Sequence, residues 1–118
     1  MQNLKEMTEK IVAFRDAREW KQFHNPKDLA LSLVLESAEV LEHFQWKNIV
    51  EIEEYTKTHK DAIAAELVDT LYWVLLMSHD LDIDLSTAFE KKMRENDEKY
   101  PEDKAKGKHD KYTAYKNL

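Results

Sequence analysis

Two pairs of carboxylates open the question of what this chain does. Glu36 and Glu39 stand three residues apart, and so do Glu66 and Asp69, an interval that places two side chains one turn apart on the same side of an α-helix. Leu29, Leu33, Glu36 and Val40 fall at i, i+4, i+7 and i+11, so Glu36 interrupts an apolar stripe. Glu66 and Asp69 are set among Ala62, Leu67, Val68, Leu71 and Trp73. A buried carboxylate without a partner is costly, and a cation relieves that cost. Two such pairs on facing helices offer the all-oxygen donor set that Mg²⁺ takes, with Mn²⁺ able to substitute. The spacing alone says little, because random placement of this many acids gives about five such pairs. Glu6/Glu9, Glu51/Glu54 and Glu95/Glu98 read as solvated faces. The apolar setting is what separates the other two pairs. The Glu-x-x-His pattern of carboxylate-bridged iron is missing, since Glu39 and Asp69 occupy the third positions on.

Other side chains have two readings each. Trp20, Trp46 and Trp73 are either lids on a core or platforms for a flat ligand. Trp73 follows Glu66 by seven residues, which puts its indole on the carboxylate face. His24 either packs before the next helix or hydrogen-bonds a ligand's edge. Lys92, Asn96 and Lys99 recur at i, i+4 and i+7. By pattern they form a solvated face; by chemistry they are donors suited to phosphate.

Only helices would align these residues, and the chain reads as all-α. Its apolar spacing is close to 3.6 residues, with no alternating β-branched runs. A first helix is predicted from about Leu4 to Trp20, carrying Leu4, Met7, Ile11 and Phe14 on one stripe. Asn25-Pro26 is an N-cap followed by proline at the first helical position, and the second helix should run to about Trp46. The polar segment IVEIEEYTKTHK is expected to be helical for part of its length. Asp61 is expected to cap a third helix, from Ala62 to His79. Asp84 should cap a fourth, ending before Tyr100-Pro101. The tail from Glu102 is polar and is expected to be disordered or docked on a partner.

The composition excludes several classes. The chain has 118 residues, so we expect a single domain over 1–118. Lys+Arg number 18 against 24 Asp+Glu, a net charge of −6, which argues against a nucleic-acid partner. The absence of Cys removes disulfide and thiol chemistry. One Gly in the whole chain excludes both a Rossmann loop and a P-loop, so a nucleotide would be bound without a glycine cradle. No stretch is apolar enough for a membrane span, and the charged first turns do not read as a signal peptide. The expectation is a soluble, cytoplasmic protein.

The run REWKQFHNPKDLALSLVLESAEVLEHFQWK resembles the opening of the all-α nucleoside triphosphate pyrophosphohydrolases, the MazG-like superfamily, and most of all its dCTP pyrophosphatase branch. AELVDTLYWV resembles that family's second carboxylate helix, KKMRENDEKYP the segment after it, and KYT its recurring ending. The likeness covers about residues 10–113, and the E-x-x-E-x-x-E-x-FQW string is its most specific part. It implies a four-helix-bundle-type fold completed by oligomerisation, as a homotetramer or else a homodimer. It implies Mg²⁺ on Glu36, Glu39, Glu66 and Asp69, the four residues already singled out by their setting. It also implies a nucleoside pocket of Trp20, His24, Trp46 and Trp73, and phosphate contacts from Lys92, Asn96 and Lys99. The implied reaction is hydrolysis of dCTP or a modified dCTP to the monophosphate and pyrophosphate, for control of the nucleotide pool. Three departures stand out. Ala65 replaces a second Glu, Trp73 replaces Tyr, and Lys99 replaces Arg, which gives up bidentate phosphate binding. The competing expectation is a non-catalytic helical interaction module that keeps the fold; four intact metal positions argue against it.

Overall fold

The computed structural model describes residues 1–109 and 113. Among them every regular element is a helix: α1 (Leu4–Ala17), a 3₁₀ turn (Trp20–Phe23), α2 (Pro26–Glu42), α3 (Ile49–Thr58), α4 (Lys60–Asp80), α5 (Leu85–Lys99) and the short α6 (Glu102–Ala105). No helix among these residues is long and apolar enough to cross a membrane.

Side-chain caps set most of the helix starts. The Asn3 side chain accepts from the Glu6 amide, and Asn25 accepts from the Asp28 amide ahead of Pro26. Asn48 and Glu51 form a reciprocal capping box for α3. Asp84 accepts from the Ser86 and Thr87 amides; the bonds from Thr87, backbone first, hold its carboxyl below the ordinary range. The start expected at Asp61 is different. α4 begins at Lys60, directly after His59, which ends α3 and caps α4 without a side-chain bond. Asp61 instead lies in the first turn, where its charge suits the helix dipole.

Two expected helix ends also come earlier. α1 stops at Ala17, because Glu19 turns the chain through the left-handed region at φ 55°. The Trp20 ring then folds back edge-on to Phe14, 5.7 Å between centroids, while the Arg18 guanidinium covers the Phe14 face at 3.6 Å. α2 ends at Glu42, and Trp46 lies in the turn that follows. The tail's first residues form α6. Lys111 and Tyr112 of the KYT ending lie outside the described residues.

The chain divides into two compact units, Met1–Asp82 and Ile83–Leu118. In the first, α4 packs along α2 and against α1, with α3 also touching it. Leu29, Leu75 and Leu76 are its fully buried apolar side chains. Beside them lies Arg15, buried and ion-paired to Asp80 at 2.6 Å and to Asp16 at 3.3 Å. The bond to Asp80 holds its guanidinium above the ordinary range despite burial. Val34, Leu35 and Leu41 on α2 and Leu67 and Val68 on α4 stay exposed. The second unit carries α5 and α6.

Candidate active site

The pairing of α2 with α4 brings both carboxylate pairs to one place. One carboxylate oxygen from each of Glu36, Glu39, Glu66 and Asp69 lies within 4.8 Å of all the others. Glu36, Glu39 and Glu66 are half-buried and Asp69 is exposed. The Oε2 atoms of Glu36 and Glu66 are buried with no hydrogen-bond donor. Among the described residues, none of the four is ion-paired to a Lys, Arg or His.

The crowding shows in the proton affinities. Glu66 is pushed up to about 7: a proton shared with Glu39 contributes most, then burial, then the charges of Glu39, Asp69 and Glu36. Burial first, and then Glu39 and Asp69, raise Glu36 as well. Four acids at this separation cannot all carry charge cheaply in the absence of a counter-ion. Donorless oxygens in an all-carboxylate set fit a hard divalent cation, and these four residues would hold it.

Next to the cluster is a cavity of about 530 Å³, lined by Lys10, Ile11, Phe14, Trp20, Glu36, Asp69, Tyr72 and Trp73. It joins two of the carboxylates to an aromatic box: Tyr72 meets Trp73 edge-on at 5.0 Å and Phe14 at 6.4 Å. Of the residues singled out in the sequence, Trp20 and Trp73 therefore share a cavity with Glu36 and Asp69. His24 stands behind this wall, its ring edge-on to Trp73 at 5.6 Å. Its Nδ1 is buried without a partner, and burial, with the nearby Arg15 charge, lowers its proton affinity. Trp46 is 87% exposed and lies outside this cavity's lining.

Lys92, Asn96 and Lys99 are on α5, in the second unit. Lys92 is 3.8 Å from Glu95, and the Asn96 amide faces the Met93 sulfur at 3.9 Å.

Four lining residues had not been singled out as candidates: Lys10, Ile11, Phe14 and Tyr72. Ile11 and Phe14 read as a core stripe from their spacing, and they do line an apolar wall. Tyr72 carried a usable signal, since it stands three residues after Asp69 and next to Trp73.

Known proteins resemble this chain in sequence and in fold. A profile of the MazG-like family matches residues 31–114. The chain is 35% identical over 102 residues to dCTP pyrophosphatase 1 of Rattus norvegicus, a match covering 85% of this chain and 60% of that protein. The same identity and coverage hold for dCTP pyrophosphatase 1 of Homo sapiens. The chain thus spans about three fifths of the length of these relatives. Among solved structures, a pyrophosphatase from Archaeoglobus fulgidus superposes with a TM-score of 0.79 at 34% identity, over 86% of this chain and 94% of that one.

Proposed function

Because the chain belongs to the MazG-like family, we propose that it is a nucleoside triphosphate pyrophosphohydrolase acting on dCTP or a modified dCTP. The observation that carries this reading is the meeting of four carboxylates, two with donorless buried oxygens, beside an aromatic cavity. Relatives that act as dCTP pyrophosphatases support the substrate class. In this reading residues 1–118 form one pyrophosphohydrolase domain, working in the cytoplasm on the nucleotide pool.

Glu36, Glu39, Glu66 and Asp69 hold Mg²⁺, for which Mn²⁺ can substitute. When bound, the ion supplies charge neutralisation for the triphosphate and Lewis acidity. Trp20 and Trp73 stack on the nucleoside, and His24 braces Trp73 from behind. Lys92, Asn96 and Lys99 are assigned to phosphate on the sequence resemblance. The reaction forms a bond from a water oxygen to the α-phosphorus and breaks the bond from that phosphorus to the bridging oxygen. One proton leaves the water. The Oε2 atoms of Glu36 and Glu66, buried and without donors, are the bases at hand. A panel of the four deoxynucleoside triphosphates, dUTP and 5-substituted dCTPs tests the reading. Pyrophosphate release should be greatest for the cytosine nucleotides and should vanish when Mg²⁺ is removed; equal release from all of them would contradict the cytosine assignment.

The charge crowding predicts how the metal-free protein responds to pH. Glu66 has its ordinary value of 4.5 when unfolded and is pushed up to about 7 when folded. Its stabilising contribution is therefore full below pH 4.5 and is lost as the pH rises through 7. Melting temperature without metal should fall across that window, and the fall should be shallower in Glu66→Gln. Above pH 7 added Mg²⁺ should raise the melting temperature by mass action. Identical pH profiles for the two proteins would contradict the assignment.

The exposed apolar residues of α2 and α4 support a homo-oligomer, for which we favour a tetramer over a dimer. Trp46, also exposed, is assigned to the nucleoside of another copy. Light scattering at micromolar concentration should give a multiple of 14.0 kDa, with a melting temperature that rises with protein concentration. An active species of 14.0 kDa would overturn this.

A further inference from the structure

The aromatic box explains affinity for a flat ring but not choice, because an indole stacks on any base. Choice needs a polar group inside the cavity, fixed in place and not already occupied. Glu36 and Asp69 belong to the carboxylate cluster, and Lys10 ends an exposed, flexible stem. Tyr72 is different. Its ring is half-buried and held between Phe14 and Trp73. Among the described residues, no group hydrogen-bonds its hydroxyl. The other half-buried tyrosine of this unit, Tyr55, does have a partner, the His43 ring nitrogen. Unlike the Oε2 atoms of Glu36 and Glu66, the Tyr72 oxygen is not sealed from solvent, so a base entering the cavity would take the place of water as its partner.

We propose that Tyr72 is the specificity-determining residue of the cavity, its hydroxyl donating to the 2-carbonyl oxygen that cytosine, uracil and thymine share. The surroundings favour a donor role. Burial raises the proton affinity of the hydroxyl, with Arg15 and Arg18 partly opposing, so it keeps its proton. Those two guanidinium groups offset part of the negative charge that Glu36 and Asp69 bring to the cavity. Position suits the 2-carbonyl in particular. Tyr72 lies one turn from Asp69, so it sits beside the carboxylate cluster, and the 2-carbonyl is next to the glycosidic bond, at the sugar end of the base.

This inference rests on the nucleotide reading above, and its test keeps the two apart. Tyr72→Phe retains the ring and removes only the hydroxyl. Sulfur is a poor acceptor, so kcat/KM is measured for dCTP and 2-thio-dCTP with both proteins, a cycle in which general effects of either change cancel. The wild type should prefer the oxo substrate by about tenfold, the worth of one neutral hydrogen bond. Tyr72→Phe should bring the ratio close to one, with its melting temperature little changed. A wild-type ratio near one, or an unaltered ratio in the variant, would overturn the inference while leaving the pyrophosphohydrolase assignment intact. If the wild type hydrolyses neither substrate, that assignment falls. The same cycle is then run on the binding of dCMP and 2-thio-dCMP, followed by tryptophan fluorescence. An oxo preference that Tyr72→Phe abolishes supports the inference; no preference, or no binding, overturns it.

Discussion

Asp69→Asn and Glu39→Gln should each reduce pyrophosphate release by roughly a hundredfold or more, the scale on which a lost charge-stabilising group lowers turnover, while the helical fold is retained. Each change keeps the side chain's shape and removes one negative charge from a cluster whose oxygens lie within 4.8 Å. A divalent ion held by four carboxylates loses both attraction and a ligand. The metal-free variants should be no less stable than the wild type, because each removes one of the negative charges that crowd Glu66. Activity and folding thus move in different directions, which separates a metal ligand from a residue needed only for structure. Turnover at the wild-type level in either variant would remove the assignment.

The second large effect is expected from the aromatic wall. Trp73→Ala should lower kcat/KM for dCTP by ten- to a hundredfold, corresponding to about 1–3 kcal/mol of lost stacking. Mg²⁺ binding should be nearly unchanged, since the indole lines the cavity without contributing a ligand atom. Trp46→Ala should bring a comparable loss only in an oligomer that delivers this exposed side chain to another copy's cavity. An unaffected Trp46→Ala would return Trp46 to the role of an apolar lid. An unaffected Trp73→Ala would mean that the cavity is not where the base binds.

Much of this arrangement was legible in the sequence, for local reasons. Asn25-Pro26 and Asp84 fix helix starts within a few residues of chain, and such signals need no tertiary information. The carboxylate pairs were legible because polar groups set into apolar stripes break a period. Less legible were features that depend on the chain folding back on itself. Glu19 has no Gly-like signature, yet it takes a left-handed conformation, and that turn is what delivers Trp20 to Phe14. The Arg15–Asp80 pair spans 65 residues, and nothing near either residue announces the other. Tyr72 gains its setting only where α1 brings Phe14 against it. Trp46 is the reverse case: its motif is specific, but its exposure in one chain shows that residues within this chain do not place it in the cavity.

The central claim is that a water oxygen attacks the α-phosphorus of a nucleoside triphosphate at the Glu36–Glu39–Glu66–Asp69 cluster. The most direct measurement is hydrolysis of dCTP with Mg²⁺ in ¹⁸O-water, with the position of the label read by mass spectrometry of both products. The account predicts dCMP carrying one ¹⁸O and unlabelled pyrophosphate, with both products formed roughly a hundredfold or more slowly by Asp69→Asn. Label in the pyrophosphate would place the attack at the β-phosphorus, and release of labelled orthophosphate with dCDP would place it at the γ-phosphorus. Either result would contradict the account.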